Sequence, residues 1–384
     1  MQLKRGAHLA YCTNVHPGEN WTETFASLEN YTLAVRDRVC RDQPFAIGLR
    51  LSDEASRELI NPDRLRDFRR WLAAENCYVF TINGFPFGRF HGGRVKEQVF
   101  APDWSSPARV EFTNRLFDIL AALLPDGVEG SVSTLPGSFK GFVRNRSQID
   151  AIAENFWRCI DHIAELRERT GQALHLGVEP EPFGLFENTE ETLAFFARMA
   201  ERQPGDPRLH FHLGVNYDAC HFAIQFEEAK ESLTAFHGQG IRISKIHLSS
   251  ALRTAPNESG GADLRPFAED IYLHQVVART DQGSLLRYQD LPIALEKNQL
   301  ADEWRIHFHV PLYARPVAGL ETTIDQTLSV LDWLAARPGV CNHLEMETYT
   351  WAVLPTELRS ASVIDQLVRE YEWILPQLAA RLLL

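Results

Sequence analysis

Short apolar runs alternate along the whole chain with segments in which apolar residues recur every three or four positions. The first pattern is typical of buried strands, and the second is typical of amphipathic helices. Eight runs are predicted as strands, at residues 8–13, 45–51, 78–82, 130–134, 174–179, 209–218, 243–248 and 343–347. Helices are predicted at residues 21–39, from 61 onward, at 107–124, 145–163, 188–200, 225–236, 324–334 and 364–371. Each predicted strand is therefore followed by a predicted helix.

Polar residues mark where several of these helices begin. Asn145 is followed three residues later by Gln148, which is the spacing of a capping box, and an apolar face follows it from Ile149 to Ile163. Asn20 is predicted to cap the first helix. Asn61 precedes a proline at the first helical position of the second helix.

Strict alternation of strands and helices predicts a parallel sheet, and eight repeats predict its closure into a (β/α)8 barrel. Residues 1–384 are accordingly predicted to form a single barrel domain. Residues 249–318 are too many for a barrel loop and are predicted to be an insertion between the seventh and eighth strands. Residues 271–288 within it have the pattern of a β-hairpin. An insertion on this face of a barrel often acts as a lid or specificity element.

An acidic or imidazole side chain lies at or near the end of each of the last four predicted strands. These residues are Glu179, Asp218, His247 and Glu347. The carboxyl ends of barrel strands meet on one face, so the four side chains are predicted to converge on a divalent metal ion there. Taken alone, each carboxylate could instead be a solvated residue at a strand end, and His247 could be a hydrogen-bonded histidine of the core. The joint order on four successive strands favours the metal site.

Several other polar residues compete for a role or extend the site. Glu181 shares a strand face with Glu179 and is the obvious competitor for its role, and Glu345 shares a strand face with Glu347. His307 and His309 lie two residues apart, on one face of a predicted strand, and His309 is the stronger candidate to reach metal or substrate. Weaker substrate contacts are predicted in the loops after strands one, three and four, at His16, Asn83, His91 and Lys140. Structural roles are predicted for His8, His210, His212 and His343.

Charge and composition narrow the class of partner. The formal net charge of −12 disfavours bulk nucleic-acid binding, so a small-molecule substrate is expected instead. Six scattered cysteines without a CxxC pair indicate small buried residues rather than a disulfide framework. No apolar run of 18 residues and no signal-peptide pattern is present, which predicts a cytoplasmic protein without a membrane partner.

The residues at the strand ends resemble those of the xylose isomerase-like TIM-barrel superfamily, which holds sugar isomerases, ketose 3-epimerases and endonuclease IV. The segment from Gly214 to His221 is similar to the strand-six motif of that superfamily, in which Gly-Val leads into Asp-x-x-His. The epimerase pattern also has an arginine six residues after the metal-binding histidine, and Arg253 falls there. The resemblance implies a metal site of Glu179, Asp218, His247 and Glu347, with His221 and Arg253 binding substrate.

A narrower resemblance is to the EboE family of bacterial metabolite-traffic proteins. It is carried by residues 8–21, by Glu-Pro-Glu-Pro at 179–182 and by residues 272–277. Endonuclease IV-like proteins hold three zinc ions with histidines after strands three and four, where this chain has Asn83 and Thr134. The missing ligands, together with the negative net charge, argue against a role in DNA repair.

The sequence therefore predicts a metal-dependent isomerase or epimerase acting on a small sugar-like or polyol metabolite. Glu179 and Glu347 are predicted as its paired base and acid, acting on either side of an enediolate. Three carboxylates and one imidazole favour Mn²⁺ or Mg²⁺, with Zn²⁺ and Co²⁺ as alternatives. Two other functions remain open: a metal-dependent hydrolase on the same barrel, and a non-catalytic metabolite-binding or traffic protein.

Overall fold

The strands that end in acidic and imidazole residues belong to one eight-stranded parallel sheet. The structure is a computed structural model that describes residues 1–255, 264–315, 319–356 and 358–384. The strands pair in the order β1-β13-β7-β6-β5-β4-β3-β2, and a parallel bridge between Cys12 and Gly48 joins the two outermost strands. The sheet thus closes into the predicted barrel. Its strands are β1 (His8–Tyr11), β2 (Phe45–Arg50), β3 (Cys77–Asn83), β4 (Gly130–Thr134), β5 (Leu174–Val178), β6 (Leu213–Asp218), β7 (Arg242–Leu248) and β13 (His343–Met346).

Helices surround this barrel and bury their apolar faces against it. The predicted capping box is confirmed, because the Asn145 side chain accepts from the Gln148 backbone and the Gln148 side chain from the Asn145 backbone. The helix it starts ends at Gly171, which has a φ of 72°. The helices are α1 (Trp21–Ser27), α2 (Leu33–Val39), α3 (Asp53–Leu59), α4 (Pro62–Ala74), α5 (Pro107–Leu123), α6 (Arg146–Thr170), α7 (Thr189–Arg202), α8 (Arg208–His212), α9 (Ala219–Ile224), α10 (Ala229–Gly238), α11 (Leu291–Lys297), α12 (Ile324–Ala335) and α13 (Val363–Ala380). Among the described residues, no helix has both the length and the apolar character needed to cross a bilayer.

The prediction for the sixth repeat was wrong in its boundaries. Residues 208–212 form the short helix α8, and the strand begins only at Leu213. Pro207 precedes this turn, where its missing N–H costs nothing, and His212 then hydrogen-bonds the Leu174 carbonyl. A short apolar run alone does not distinguish a buried strand from a buried helical turn. The helix predicted at 225–236 corresponds to α10, and an additional short helix, α9, precedes it directly after β6.

The insertion forms a second sheet of five antiparallel strands with a core of its own. Its strands are β8 (Ala251–Thr254), β9 (Val276–Arg279), β10 (Leu285–Tyr288), β11 (Glu303–His309) and β12 (Leu320–Thr322), in the order β10-β9-β11-β8-β12. The predicted hairpin is confirmed as β9 and β10. The sheet continues to Thr322, beyond the predicted end at 318, and positions 256–263 and 316–318 of the predicted insertion lie outside the described residues. Strand β11 brings His307 and His309 to the mouth of the barrel.

The barrel interior is polar below the metal-competent residues. Lys245 and Glu345 form a fully buried ion pair of 2.6 Å, and Lys245 also donates to Ser133 Oγ at 3.0 Å. Gly48 faces this pair, and a Cβ atom there would lie 1.8 Å from Glu345 Oε1. Any side chain at this position would displace the carboxylate. The glycine therefore leaves room for the Lys245–Glu345 ion pair directly below the candidate metal ligands.

Glu370 on α13 gives the fold a pH-dependent stability that can be measured. Burial raises the pKa of this carboxyl from 4.5 to about 7, while its oxygen accepts from Thr348 Oγ1 and the Leu312 N–H. A raised folded pKa contributes stability that is complete below pH 4.5 and is lost as the pH rises to 7. We expect Glu370→Gln to exceed the wild type in free energy of unfolding by ~3 kcal/mol at pH 8, with the difference vanishing below pH 4.5. Urea unfolding across this pH range measures the difference.

The matched control is Glu372→Gln, on the exposed side of the same helix. Its difference from the wild type should stay within about 0.5 kcal/mol over the same range. A pH-independent difference for Glu370→Gln would contradict the assignment of a raised pKa to Glu370.

Candidate metal centre

The four residues predicted to bind metal converge at the carboxyl ends of their strands. Glu179 directly follows β5, Asp218 ends β6, His247 lies near the end of β7 and Glu347 directly follows β13. Each offers one ligand atom, and the four atoms all lie within 4.8 Å of one another. All four side chains are buried. Parallel pairing in register brings residues that are 168 positions apart in sequence to one point.

His247 lies at the centre of this group. Its Nδ1 atom is 3.0 Å from Glu179 Oε1, 3.3 Å from Asp218 Oδ2 and 2.8 Å from Glu347 Oε2. Its Nε2 atom is 2.9 Å from Glu345 Oε2, which fixes the ring orientation from below. Burial opposes the charged imidazole, but the carboxylates of Glu347 and Glu179 outweigh it and hold the pKa of His247 well above its usual value. Nδ1 is thus the atom that faces all three carboxylates.

Asp218 is positioned by three hydrogen bonds to one of its oxygens. Oδ1 accepts from the N–H groups of Cys220 (2.8 Å) and His221 (3.1 Å) and from Ser249 Oγ (2.6 Å). Burial opposes ionisation, but His221 and His247 together hold the pKa of Asp218 well below its usual value. The buried Oδ2 atom has no hydrogen-bond partner and faces His247. An ionised oxygen left unpaired in this way is suited to a cation.

Amide side chains hold the two glutamates in the same manner. Asn216 Nδ2 donates to Glu179 Oε2 at 2.8 Å, which leaves Glu179 Oε1 directed at His247. Asn14 and Asn83 donate to Glu347 Oε1 at 2.7 and 3.3 Å, which leaves Glu347 Oε2 directed at His247 as well. In each glutamate, one carboxylate oxygen therefore accepts hydrogen bonds from amide side chains, and the other oxygen faces His247 Nδ1.

These residues fit a divalent cation. Three carboxylate oxygens and one imidazole nitrogen form the donor set, and Asp218 Oδ2 is the buried oxygen that a cation would satisfy. The 2.8–3.3 Å separations from His247 Nδ1 match the ~3 Å between neighbouring ligands of a six-coordinate ion bound at ~2.1 Å. Oxygen-rich sites of this kind suit Mg²⁺ or Mn²⁺, and the imidazole also admits Zn²⁺ or Co²⁺.

A cleft opens onto this centre. At its inner end are Asn83, Glu179, Glu347 and His221, whereas its outer wall is formed by rings and aliphatic side chains such as Phe90, Tyr272 and Tyr349. The polar end holds the groups able to move protons. The apolar wall can pack against the carbon skeleton of a bound molecule.

Glu181 is a functional candidate that the sequence placed only as a competitor. It lines the cleft beside Glu179, and Gln275 Nε2 donates to its Oε1 at 3.4 Å. Burial, reinforced by the negative charge of Glu179, raises the pKa of Glu181 well above its usual value. Glu181 is therefore a candidate proton donor in the wall of the cleft, and its strand parity with Glu179 was the sequence signal for it.

The three remaining histidines of the predicted site lie together beside Asp218. His221, on α9, and His307 and His309, on β11, approach through their Nε2 atoms, with 3.1 Å from His307 to each of the other two. Burial lowers the pKa of both His221 and His307. His221 and His307 thus line the inner end of the cleft together with Asn83, whereas His309, the stronger candidate from the sequence, lies behind His307 and does not line it.

Two predicted substrate contacts are not brought to the site. Arg253 lies on β8 of the insertion sheet, where it pairs with Glu321 at 2.9 Å and Asp325 at 3.4 Å. The β8 strand turns away from β7, so the six-residue spacing from His247 does not carry the arginine over the metal centre. His16 is buried against Tyr31 at a ring distance of 4.6 Å and hydrogen-bonds the Tyr11 hydroxyl. Of the weaker candidates, His91 hydrogen-bonds the Asn14 carbonyl oxygen, and Lys140 forms ion pairs with Glu187 and Glu191.

Solved structures share this architecture along nearly the whole chain. An L-ribulose 3-epimerase superposes with a TM-score of 0.51 at 13% identity, covering 99% of this chain and 96% of its own. A D-tagatose 3-epimerase-like protein gives 0.50 at 13% identity and 97% of each chain. The probable 3-DHS dehydratase AsbF of petrobactin synthesis, from Bacillus anthracis, gives 0.51 at 11% identity, with 96% and 98% covered.

The chain therefore has the TIM-barrel fold that these structures share. These identities establish the fold alone. No protein-family model matches the chain, and no curated protein matches its sequence. The narrower resemblance to the EboE family therefore stays a prediction.

Proposed function

We propose that this protein is a divalent-metal-dependent isomerase or epimerase of a small sugar-like or polyol metabolite. The observation that carries the proposal is the convergence of Glu179, Asp218, His247 and Glu347 at the end of a cleft. Two of these residues, Glu179 and Glu347, belong to strands β5 and β13, which are not neighbours in the barrel. They therefore approach a bound molecule from different directions, as a paired base and acid must.

The chain's own residues account for binding and proton transfer. A bound divalent ion, held by the four residues, would supply positive charge for a carbonyl oxygen of the substrate. Glu179 and Glu347 would remove a proton from the adjacent carbon and return one to it. Glu181, whose pKa is raised by burial and by the charge of Glu179, would donate a proton to a substrate oxygen from the wall of the cleft. His221 lines the same end and is suited to hold a second oxygen.

The shape of the cleft supports a substrate with a polar reacting end and a carbon face. Phe90, Tyr272 and Tyr349 form a mutually packed set of rings, with centroids 5.1–5.3 Å apart. The C–H face of a sugar or another ring can pack on such a surface while its hydroxyl groups point at the acidic end. Tyr272, Leu273 and His307 of the insertion line the cleft and would limit the access of water to the proton-transfer step.

Exchange of a substrate carbon-bound proton with solvent tests this proposal directly. The Mn²⁺-loaded protein is incubated in D₂O with a panel of ketoses and hydroxyketones, and the loss of the proton next to the carbonyl is followed by NMR. We expect exchange and isomerisation with at least one compound, and a reduction of about 10²–10⁴-fold in both Glu179→Gln and Glu347→Gln, because each removes a proton-transfer group.

Two controls define the outcome. Glu190→Gln, on the exposed face of α7, and Arg253→Ala, outside the cleft, should retain the wild-type exchange rate. Hydrolysis products without exchange would contradict the proposal in favour of a hydrolase. Tight binding of a metabolite with no turnover, unchanged in both Gln variants, would contradict it in favour of a carrier.

A further inference from the structure

The amino-terminal end of the barrel holds a second group of metal-competent side chains. His175 lies on β5 and His343 on β13, each four residues before the candidate ligand at the other end of its strand, Glu179 or Glu347. Residues four apart on a strand share a face, so both histidines point into the barrel, about 13 Å along the strands from the candidate metal centre. Both are buried, and their ring centroids lie 5.2 Å apart. This pair of histidines is therefore separate from the residues at the strand ends.

One nitrogen of each ring is held by a serine, and the other is left without a partner. His175 Nδ1 is 2.6 Å from Ser244 Oγ, and His343 Nδ1 is 2.7 Å from Ser131 Oγ. Neither Nε2 atom is exposed, and neither has a hydrogen-bond partner among the residues that the structure describes. A buried nitrogen without a partner is costly, and two such atoms in contacting rings call for a common explanation.

Glu129 brings a negative charge to the same two rings. It directly precedes β4, and its Oε2 atom lies 3.5 Å from His175 Nε2 and 3.2 Å from Arg242 Nη1. One ligand atom each from Glu129, His175 and His343 lie within 4.8 Å of one another. The 3.5 Å separation is close to the ~3.3 Å between neighbouring ligands of a tetrahedral ion bound at 2.0–2.1 Å. Arg242 orients the carboxylate, as outer hydrogen-bond partners do at metal sites.

The protonation of the two rings suits a metal ligand. Burial lowers the pKa of His175 to about 4 and holds the pKa of His343 well below its usual value. Both imidazoles are therefore neutral near pH 7. A serine hydroxyl can accept the Nδ1 proton of each ring, which leaves a lone pair on each Nε2.

We propose that Glu129, His175 and His343 bind a Zn²⁺ ion at the amino-terminal end of the barrel. Two imidazoles and one carboxylate are a ligand set that zinc accepts, and the nitrogen content favours it over Mg²⁺ or Mn²⁺. A cavity lined by Glu129, His175 and Arg242 reaches the group from the protein surface. The cavity gives the ion a path of entry and leaves room for a water molecule as the fourth ligand.

The position of this ion assigns it a structural role. Strands β5 and β13 are separated by β6 and β7 in the sheet, so the ion joins strands from different sides of the barrel. Reactions on barrels of this kind take place at the carboxyl ends of the strands, whereas the amino-terminal face serves stability. The ion therefore stabilises the barrel and takes no part in the proposed reaction. This inference does not depend on the proposed function.

Zinc counting on the full chain tests this site. Chelator-treated protein is loaded with Zn²⁺ alone, freed of excess metal on a desalting column, and analysed for zinc per chain. We expect His175→Ala, His343→Gln and Glu129→Gln each to carry one zinc ion fewer than the wild type. His210→Ala should match the wild type, because this exposed histidine lines the same cavity but lies outside the ligand group.

Melting curves test the structural role without interference from the candidate metal centre. Zn²⁺ should raise the melting temperature of His247→Ala, in which only the amino-terminal site is intact, but not that of the His175→Ala, His247→Ala double variant. Glu129→Gln keeps the size of a side chain that is 37% exposed, so it answers the question if a histidine variant does not fold.

The outcomes separate this inference from the proposed function. Equal zinc content in the wild type and in the variants of Glu129, His175 and His343 would overturn the amino-terminal site. Zinc lost only in His247→Ala would overturn it and leave the proposed function intact. Zinc lost only in the three amino-terminal variants would support this site and count against a metal at His247.

Discussion

Replacement of His247 by alanine is expected to lower the affinity of the barrel site for Mn²⁺ on the order of 100-fold or more. The imidazole is the one ligand whose Nδ1 faces all three carboxylates, and without it three negative oxygens remain around the centre. Loss of a supporting group outside the ligand set already costs 10–100-fold at metal sites, so loss of the ligand should cost at least as much. Isothermal titration of chelator-treated protein with Mn²⁺ gives the affinity of both forms.

Thermal stability provides an independent readout of the same change. An ion that binds only the folded chain adds about 2.7 kcal/mol at 100 times its Kd, so Mn²⁺ should raise the melting temperature of the wild type but not of His247→Ala. His210→Ala should behave as the wild type, because His210 is exposed and lies at the other end of the barrel. Equal stabilisation of His247→Ala by Mn²⁺ would contradict the ligand assignment.

Replacement of Lys245 by methionine is expected to cost about 3–5 kcal/mol of unfolding free energy. Lys245 and Glu345 are both completely buried, 2.6 Å apart, and removal of one partner leaves an unpaired charge inside the barrel. Burial alone would lower the pKa of Lys245, but the charge of Glu345 raises it, so the pair is ionised. Chemical denaturation of the wild type and the variant measures the loss, with the exposed Lys230→Met as the matched control.

A double-mutant cycle shows whether the loss belongs to the pair. Glu345→Gln should also destabilise the fold, whereas the Lys245→Met, Glu345→Gln double variant should cost clearly less than the two single losses added together, because neither charge is then left alone. Glu345 also orients His247 through Nε2. Glu345→Gln should therefore weaken Mn²⁺ binding roughly 10–100-fold in addition. Additive stability losses would mean that the pair has no coupling.

The convergence of the four candidate metal ligands could be predicted from the sequence because it follows from barrel geometry alone. Glu179, Asp218, His247 and Glu347 each lie where an apolar run ends, and parallel pairing brings strand ends to one face whatever the intervening helices contain. The eight-stranded fold followed from the same runs. No knowledge of side-chain packing was needed for either conclusion.

The features that sequence reasoning missed depend on packing between distant segments. The direction of β8 decides that Arg253 pairs with Glu321 rather than reaching the cleft. The fold of the insertion sheet decides that His307 meets His221, 86 residues away. Glu345 was predicted only to share a strand face with Glu347, no role was predicted for Lys245, and only the closed barrel shows that the two residues pair. The spacing of apolar residues indicates which face of a strand or helix a residue lies on. It does not indicate which distant residue that side chain will contact.

Anomalous diffraction from crystals grown with Mn²⁺ tests the central claim most directly, because it locates the ion without reference to activity. The account predicts a strong manganese peak about 2.0–2.4 Å from His247 Nδ1, Glu179 Oε1, Asp218 Oδ2 and Glu347 Oε2 together. A fully loaded crystal with no peak among these four atoms, or with manganese bound only elsewhere on the chain, would contradict it.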